Sequence, residues 1–229
     1  MRRLLPLVLG VALATLAMPA DAQSPLPQAY VLLIHGGAWV RVGAGPTARM
    51  DPVATRLQHW GYGTVNVDYR SGRYAFGDVE RAYEGLRLEV GPHARICAFG
   101  SSAGGQMALM LALRHRDVAC VVAQSPPSLL DRLRPTLRHH AKEAFPGHGQ
   151  LKVWSPARHI LRAPALLEAG RGDHVVPLSQ TRAEQRSARH SELLVLAHGS
   201  HPWVHTSVAG ASLERAARAE RRFLRRSLG

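Results

Sequence analysis

The sequence predicts an α/β fold, a mainly parallel six-stranded sheet with helices on both faces. Three observations carry this expectation. Short, almost continuously apolar runs recur along the chain, and longer segments with helical periodicity separate them. At 229 residues, 46% hydrophobic and 20% charged, the chain also has the length and composition of one globular domain with a sizeable core. Apolar runs without alternation suit strands buried on both faces, and strand-then-helix repetition builds a parallel sheet.

The elements follow in chain order. Residues 1–22 open with Arg2 and Arg3, continue as an apolar run and end in Ala20-Asp21-Ala22. That is the charged head, apolar stretch and A-x-A site of a secretory signal. The run is interrupted by Pro6 and falls short of the roughly 20 residues of a stable membrane span. Residues 1–22 are therefore expected to be a cleaved signal peptide and 23–229 an exported domain, periplasmic or extracellular. The paired arginines fit either the twin-arginine or the general export route. Strands are expected at 30–34, 63–68, 94–99, 118–123, 165–169 and 192–196, and helices at 47–60, 78–90, 103–114, 179–190 and 204–226.

One stretch breaks the alternation. Residues 125–160 carry Pro126, Pro127, Pro135, Pro146 and Pro156 with the pair His139 and His140. This irregular insertion is too long for a simple connector and reads either as a small flap over a site or as a packed excursion. The two cysteines, Cys97 and Cys120, fall in expected strands; two are too few for a zinc site, and they read either as a pair or as two buried thiols. The formal charge of +13 is mostly arginine spread along the chain, with no aromatic interleaving and no nucleic-acid module. It reads as a solvated basic surface rather than a nucleic-acid site, as do Arg215, Arg218, Arg221, Arg222, Arg225 and Arg226 near the end.

The chemistry concentrates in four loops. Gly100-Ser101-Ser102-Ala103-Gly104 stands between an expected strand and helix, where a sharp turn exposes the central hydroxyl and the glycines let backbones pass closely. Ser102 is the candidate nucleophile. His35-Gly36-Gly37-Ala38-Trp39 follows the first strand; its Gly37 and Ala38 N–H groups, with that of Ala103 at a helix start, are candidate donors to a developing oxyanion. Asp173, in Gly172-Asp173-His174 after the fifth strand, is the candidate acid that orients a histidine, with a turn or cap as its structural alternative. The loop after the last strand offers His198 and His201 as the base. Thirteen histidines make any single one weak, but position after Asp173 favours this loop, and the outer His201 is preferred. Trp39 and Trp203 flank these loops as candidates for pocket walls or for core packing.

Together these residues resemble the α/β-hydrolases, specifically the small esterase/lipase branch with an H-G-G-x-W oxyanion loop, similar to bacterial carbohydrate-ester and feruloyl esterases and kynurenine formamidases. The resemblance spans nearly all of 23–229 and includes Val67-Asp68-Tyr69-Arg70, Asp78 opening a helix, and Trp154-Ser155-Pro156. It implies a Ser102-His201-Asp173 triad, acyl transfer without metal or organic cofactor, and a small-molecule or polysaccharide-linked ester substrate. No strand is expected ahead of residue 30, so the family's first hairpin is missing from this reading, and no large cap is present. A short, uncapped enzyme implies small or exposed acyl groups. Peptidase or amidase activity of the same fold, and a non-catalytic binding protein that retains it, are the competing readings.

Overall fold

The computed structural model describes residues 28–41, 50–197, 199–201 and 210–229. The expected signal peptide, His198 and Trp203 lie outside the described residues. In chain order the elements are β1 (Ala29–Ile34), α1 (Asp51–His59), β2 (Gly63–Val67), α2 (Ala75–Val90), β3 (Arg95–Ser101), α3 (Ala103–Arg114), β4 (Val118–Gln124), α4 (Pro135–Ala144), α5 (Gln150–Val153), β5 (Ala165–Gly170), α6 (Leu178–Ser187), β6 (Ser191–Leu196) and α7 (Ala211–Leu228).

The six strands form one sheet in the order β2-β1-β3-β4-β5-β6, every neighbouring pair parallel. Each lies within two residues of its expected bounds. The apolar runs alternate between two cores. Leu32, Ile34, Ala98 and Val121 face one side with Phe76 and Leu86 of α2 and Met107 and Leu111 of α3. Val31, Leu33, Cys97, Phe99 and Val122 face the other with Met50, Leu57 of α1 and Phe223, Leu224 and Leu228 of α7. Both faces are covered, which is why these strands are apolar without alternation.

The chain runs from β1 outward to β2 and then returns past β1 to β3, so the order reverses between β1 and β3. In open α/β sheets, binding sites form at the carboxyl ends of the strands where the order reverses. The histidine-glycine loop leaves β1 and the serine turn leaves β3.

One detail differs from the sequence expectation, and at two places left open there the structure favours one of the alternatives: the packed excursion for 125–160 and buried thiols for the two cysteines. Helix α2 begins at Ala75, fed by the 3₁₀ turn Gly72–Tyr74, so Asp78 lies in its first turn instead of opening it. Its carboxylate accepts from the Arg70 backbone N–H at 2.8 Å and from the Arg70 and Arg81 guanidiniums. Within 125–160 stand the two helices α4 and α5, and Leu130, Leu137, Ala141 and Phe145 join the first core. Cys97 and Cys120 are opposite one another across β3 and β4 as free, fully buried thiols. Among the described residues, no helix is long and apolar enough to cross a membrane.

Candidate active site

Ser102 joins β3 to α3 with φ 52° and ψ −120°, a backbone conformation that L residues rarely adopt. The turn is compressed on both sides. A Cβ on Gly100 would meet Gly104 O at 2.1 Å, and one on Gly104 would meet Ile34 O at 2.0 Å and His35 O at 2.4 Å. Only glycine permits α3 to start this close to the end of β1. The same packing brings the first loop beside the serine, since a Cβ on Gly36 would lie 3.2 Å from Ser102 Cβ.

Ser102 Oγ is 2.9 Å from His201 Nε2, and His201 Nδ1 is 2.8 Å from Asp173 Oδ2. A carboxylate only accepts, so Nδ1 carries the ring proton and donates to Asp173, leaving Nε2 to accept from the serine hydroxyl. Asp173 is fixed from behind: its Oδ1 accepts from the N–H groups of Val175 at 2.9 Å and Val176 at 2.8 Å. Burial alone pushes the Asp173 carboxyl up, but the hydrogen bond and charge of His201, with the Val176 N–H, outweigh it and hold it below the usual carboxylate range. Asp173 is thus an anion at neutral pH with little access to water.

The histidine reaches the aspartate because two loops cross at van der Waals distance. A Cβ on Gly170, at the end of β5, would meet Gly199 O at 2.1 Å. Nothing local in the sequence marks this crossing, so sequence reasoning missed both glycines.

Gly37, Ala38 and Trp39 all have positive φ, at 102°, 53° and 59°, so the loop after β1 is held in a conformation that needs external support. Tyr69 supplies part of it: its hydroxyl donates to Gly36 O at 2.6 Å, and its ring stacks on His35 at 3.9 Å between centroids. Burial lowers the pKa of His35, against the opposing pull of Gly36 O and Asp68, so the ring under the loop is neutral. Gln106, fully buried one turn along α3, accepts from Trp39 Nε1 and donates to Trp154 O, both at 2.9 Å. It ties the loop, the serine helix and the 125–160 segment together. Its signal was available, because Gln106 is the one uncharged polar side chain in an otherwise apolar helix ending at Arg114. Ala103 opens α3 beside Ser102, so its N–H has no intrahelical acceptor. These N–H groups and the serine-histidine-aspartate row can together drive attack on a carbonyl and stabilise the oxyanion that results.

Of the two readings of Trp39, core packing is the one the structure shows. Its indole is fully buried, edge-on to Phe145 at 5.8 Å, and belongs to the core rather than to a pocket wall. Among the described residues, no group of three or more histidine, cysteine or acidic side chains is arranged to hold a metal.

A parallel sheet with helices on both faces, a serine turn after β3, an acid after β5 and a histidine after β6 define the α/β-hydrolase fold. Within it, residues 15–145 match the BD-FAE family model, more than half of the chain, and the chain belongs to that family. It is 31% identical over 157 residues to esterase LipU of Mycobacterium tuberculosis (strain ATCC 25618 / H37Rv), a match covering 66% of this chain and 49% of that protein. The chain therefore spans about half the length of this relative. Two solved structures share the fold. The acetyl ester-xyloside bifunctional hydrolase of Caldicellulosiruptor lactoaceticus has a TM-score of 0.75 at 18% identity, covering 90% of this chain and 85% of that one. Esterase 2 of Thermogutta terrifontis, solved phosphonylated by sarin, has a TM-score of 0.73 at 20% identity, covering 90% and 86%.

Proposed function

We propose that this protein is a serine hydrolase, a carboxylesterase that acts on small or exposed acyl esters through an acyl-enzyme. The observation that carries the reading is the hydrogen-bonded row Ser102-His201-Asp173 beside a strained loop rich in backbone donors. In this reading His201 Nε2 takes the hydroxyl proton as Ser102 Oγ attacks the ester carbonyl. The N–H groups of Gly37, Ala38 and Ala103 stabilise the tetrahedral oxyanion, and Asp173 stabilises the imidazolium. His201 then protonates the leaving alcohol. Water, deprotonated by His201, releases the acid and restores Ser102.

The names of the relatives support an ester over an amide substrate, and the acetyl ester in one of those names supports a small acyl group, free or linked to a polysaccharide. The signal-like residues 1–22 support export to the periplasm or beyond. Turnover of p-nitrophenyl esters of increasing chain length, compared with peptide p-nitroanilides, tests the assignment. Short-chain esters are expected to turn over fastest. Faster turnover of the anilides would overturn the esterase assignment in favour of an amidase.

A further inference from the structure

Beneath the serine turn, on the face covered by α1 and α7, lies a row of polar side chains for which the hydrolytic chemistry has no use. Gln124 ends β4 and pairs in register with Glu168 of β5. The Gln124 amide donates to Glu168 Oε2 at 2.9 Å and to Glu220 Oε1 of α7 at 3.2 Å, and Arg56 of α1 donates to Glu220 Oε2 at 2.5 Å. Glu168 and Glu220 are both fully buried.

The backbones of the same strand ends hold the site. Ser102 N–H donates to Gln124 O at 2.8 Å, and Ser125 N–H donates to Glu168 O at 2.7 Å. Ser102 and Ser125 both have positive φ, 52° and 43°, so their conformations depend on what these carbonyls impose.

Charge counting separates the two acids. Two buried carboxyls face one guanidinium, and an uncompensated buried anion is costly, so one carboxyl keeps its proton. Glu220 binds Arg56 directly. Glu168 is reached only by the Gln124 amide, and its Oε1 has no hydrogen-bond partner among the described residues. The proton therefore resides on Glu168. Burial, and then the Glu220 charge, push the Glu168 carboxyl well above the usual range, against the pull of Gln124 and Arg56. The residue opposite Glu168 on β6 is Leu194, which contributes no charge.

We propose that the Arg56–Glu220–Gln124–Glu168 network positions the serine turn, and that Glu168 is a positioning residue whose neutral form is the active one. The proposal rests on the hydrolase reading above. Ionised Glu168 would set two carboxylates across one amide, separate the ends of β4 and β5, and displace Ser102 through its bond to Gln124 O. A small displacement of a nucleophile is enough to slow an oriented attack.

The test is ester hydrolysis with p-nitrophenyl acetate from about pH 6 to about pH 10, on wild type, Glu168→Ala, Glu168→Gln and Glu220→Gln, with folding checked by circular dichroism. Wild type should lose kcat reversibly at alkaline pH with KM little changed. Glu168→Ala should lower kcat by about tenfold or more. Glu168→Gln, which mimics the neutral acid, should restore most of that loss and abolish the alkaline fall. Glu220→Gln, which leaves Arg56 to favour ionised Glu168, should move the fall to lower pH. If Glu168→Gln keeps the wild-type alkaline fall, or Glu168→Ala folds with unchanged kcat, the proposal is overturned. Should Glu168→Ala not fold, the wild type, Glu168→Gln and Glu220→Gln profiles decide alone. Fluorophosphonate labelling of Ser102 at neutral pH separates the two readings: absent labelling overturns the hydrolase, whereas labelling with unaltered pH profiles overturns only the role of Glu168.

Discussion

At the scale of single residues, the site is set by side chains that are absent as much as by those present. Gly104 has Ile34 O only 2.0 Å from where a Cβ would stand, so Gly104→Ala must push α3 off β1 and take Ser102 with it. Its kcat for a short ester is expected to fall by about 10²-fold, with a melting temperature well below wild type. Gly85 is the counterexample, an exposed position inside α2 with open space around its missing Cβ. Gly85→Ala should stabilise the fold by about 0.5–1 kcal/mol, read by urea unfolding, without altering turnover. If the two substitutions behave alike, close packing at the serine turn is not what constrains Gly104. The meeting of Ser102, Asp173 and His201 in one hydrogen-bonded row was legible in the sequence because each follows a strand that could be recognised independently. Gly170, Gly199 and Glu168 were not, because their importance arises from loops and strands that meet only in three dimensions. Trp39 was half legible: adjacency to the glycine loop was plain, whereas the burial that removes it from any pocket wall depends on Gln106 and Phe145.

At the scale of elements, the strands were read more accurately than the segment between β4 and β5. Five prolines marked 125–160 as irregular, yet Pro135 stands at the first position of α4, where its missing N–H costs nothing and its fixed φ suits a helix start. Helix α6 contains another feature hidden from periodicity, a fully buried Glu184. Neither of its carboxylate oxygens has a hydrogen-bond partner among the described residues. Burial raises its pKa from 4.5 to about 8. The sign follows from proton binding: between these values folded Glu184 holds a proton that the unfolded chain has released, so stability falls as pH rises. Its contribution is complete below the ordinary glutamate value and is lost by the time pH passes about 8. The loss amounts to at most about 5 kcal/mol. Glu184→Gln should flatten this slope in urea unfolding measured across that range and leave the variant more stable than wild type at the alkaline end. An unchanged slope would mean that Glu184 is solvated or paired.

At the scale of the whole molecule, the strand order explains why chemistry gathers at one end. The order reverses between β1 and β3, and the loops from β5 and β6 bring Asp173 and His201 to the serine turn at the carboxyl end of β3. Several arginines of α1, α2 and α7 are paired with Glu220, Asp78, Asp117, Glu214 and Glu192. The central claim is that folding assembles these loops into one activated serine. Fluorophosphonate labelling, with the modified peptide located by mass spectrometry, tests it most directly. Wild type should be labelled at Ser102, Ser102→Ala should not be labelled, and His201→Ala should be labelled more slowly by about 10²-fold or more. No labelling of the folded wild type, or equal labelling of Ser102→Ala, would contradict it.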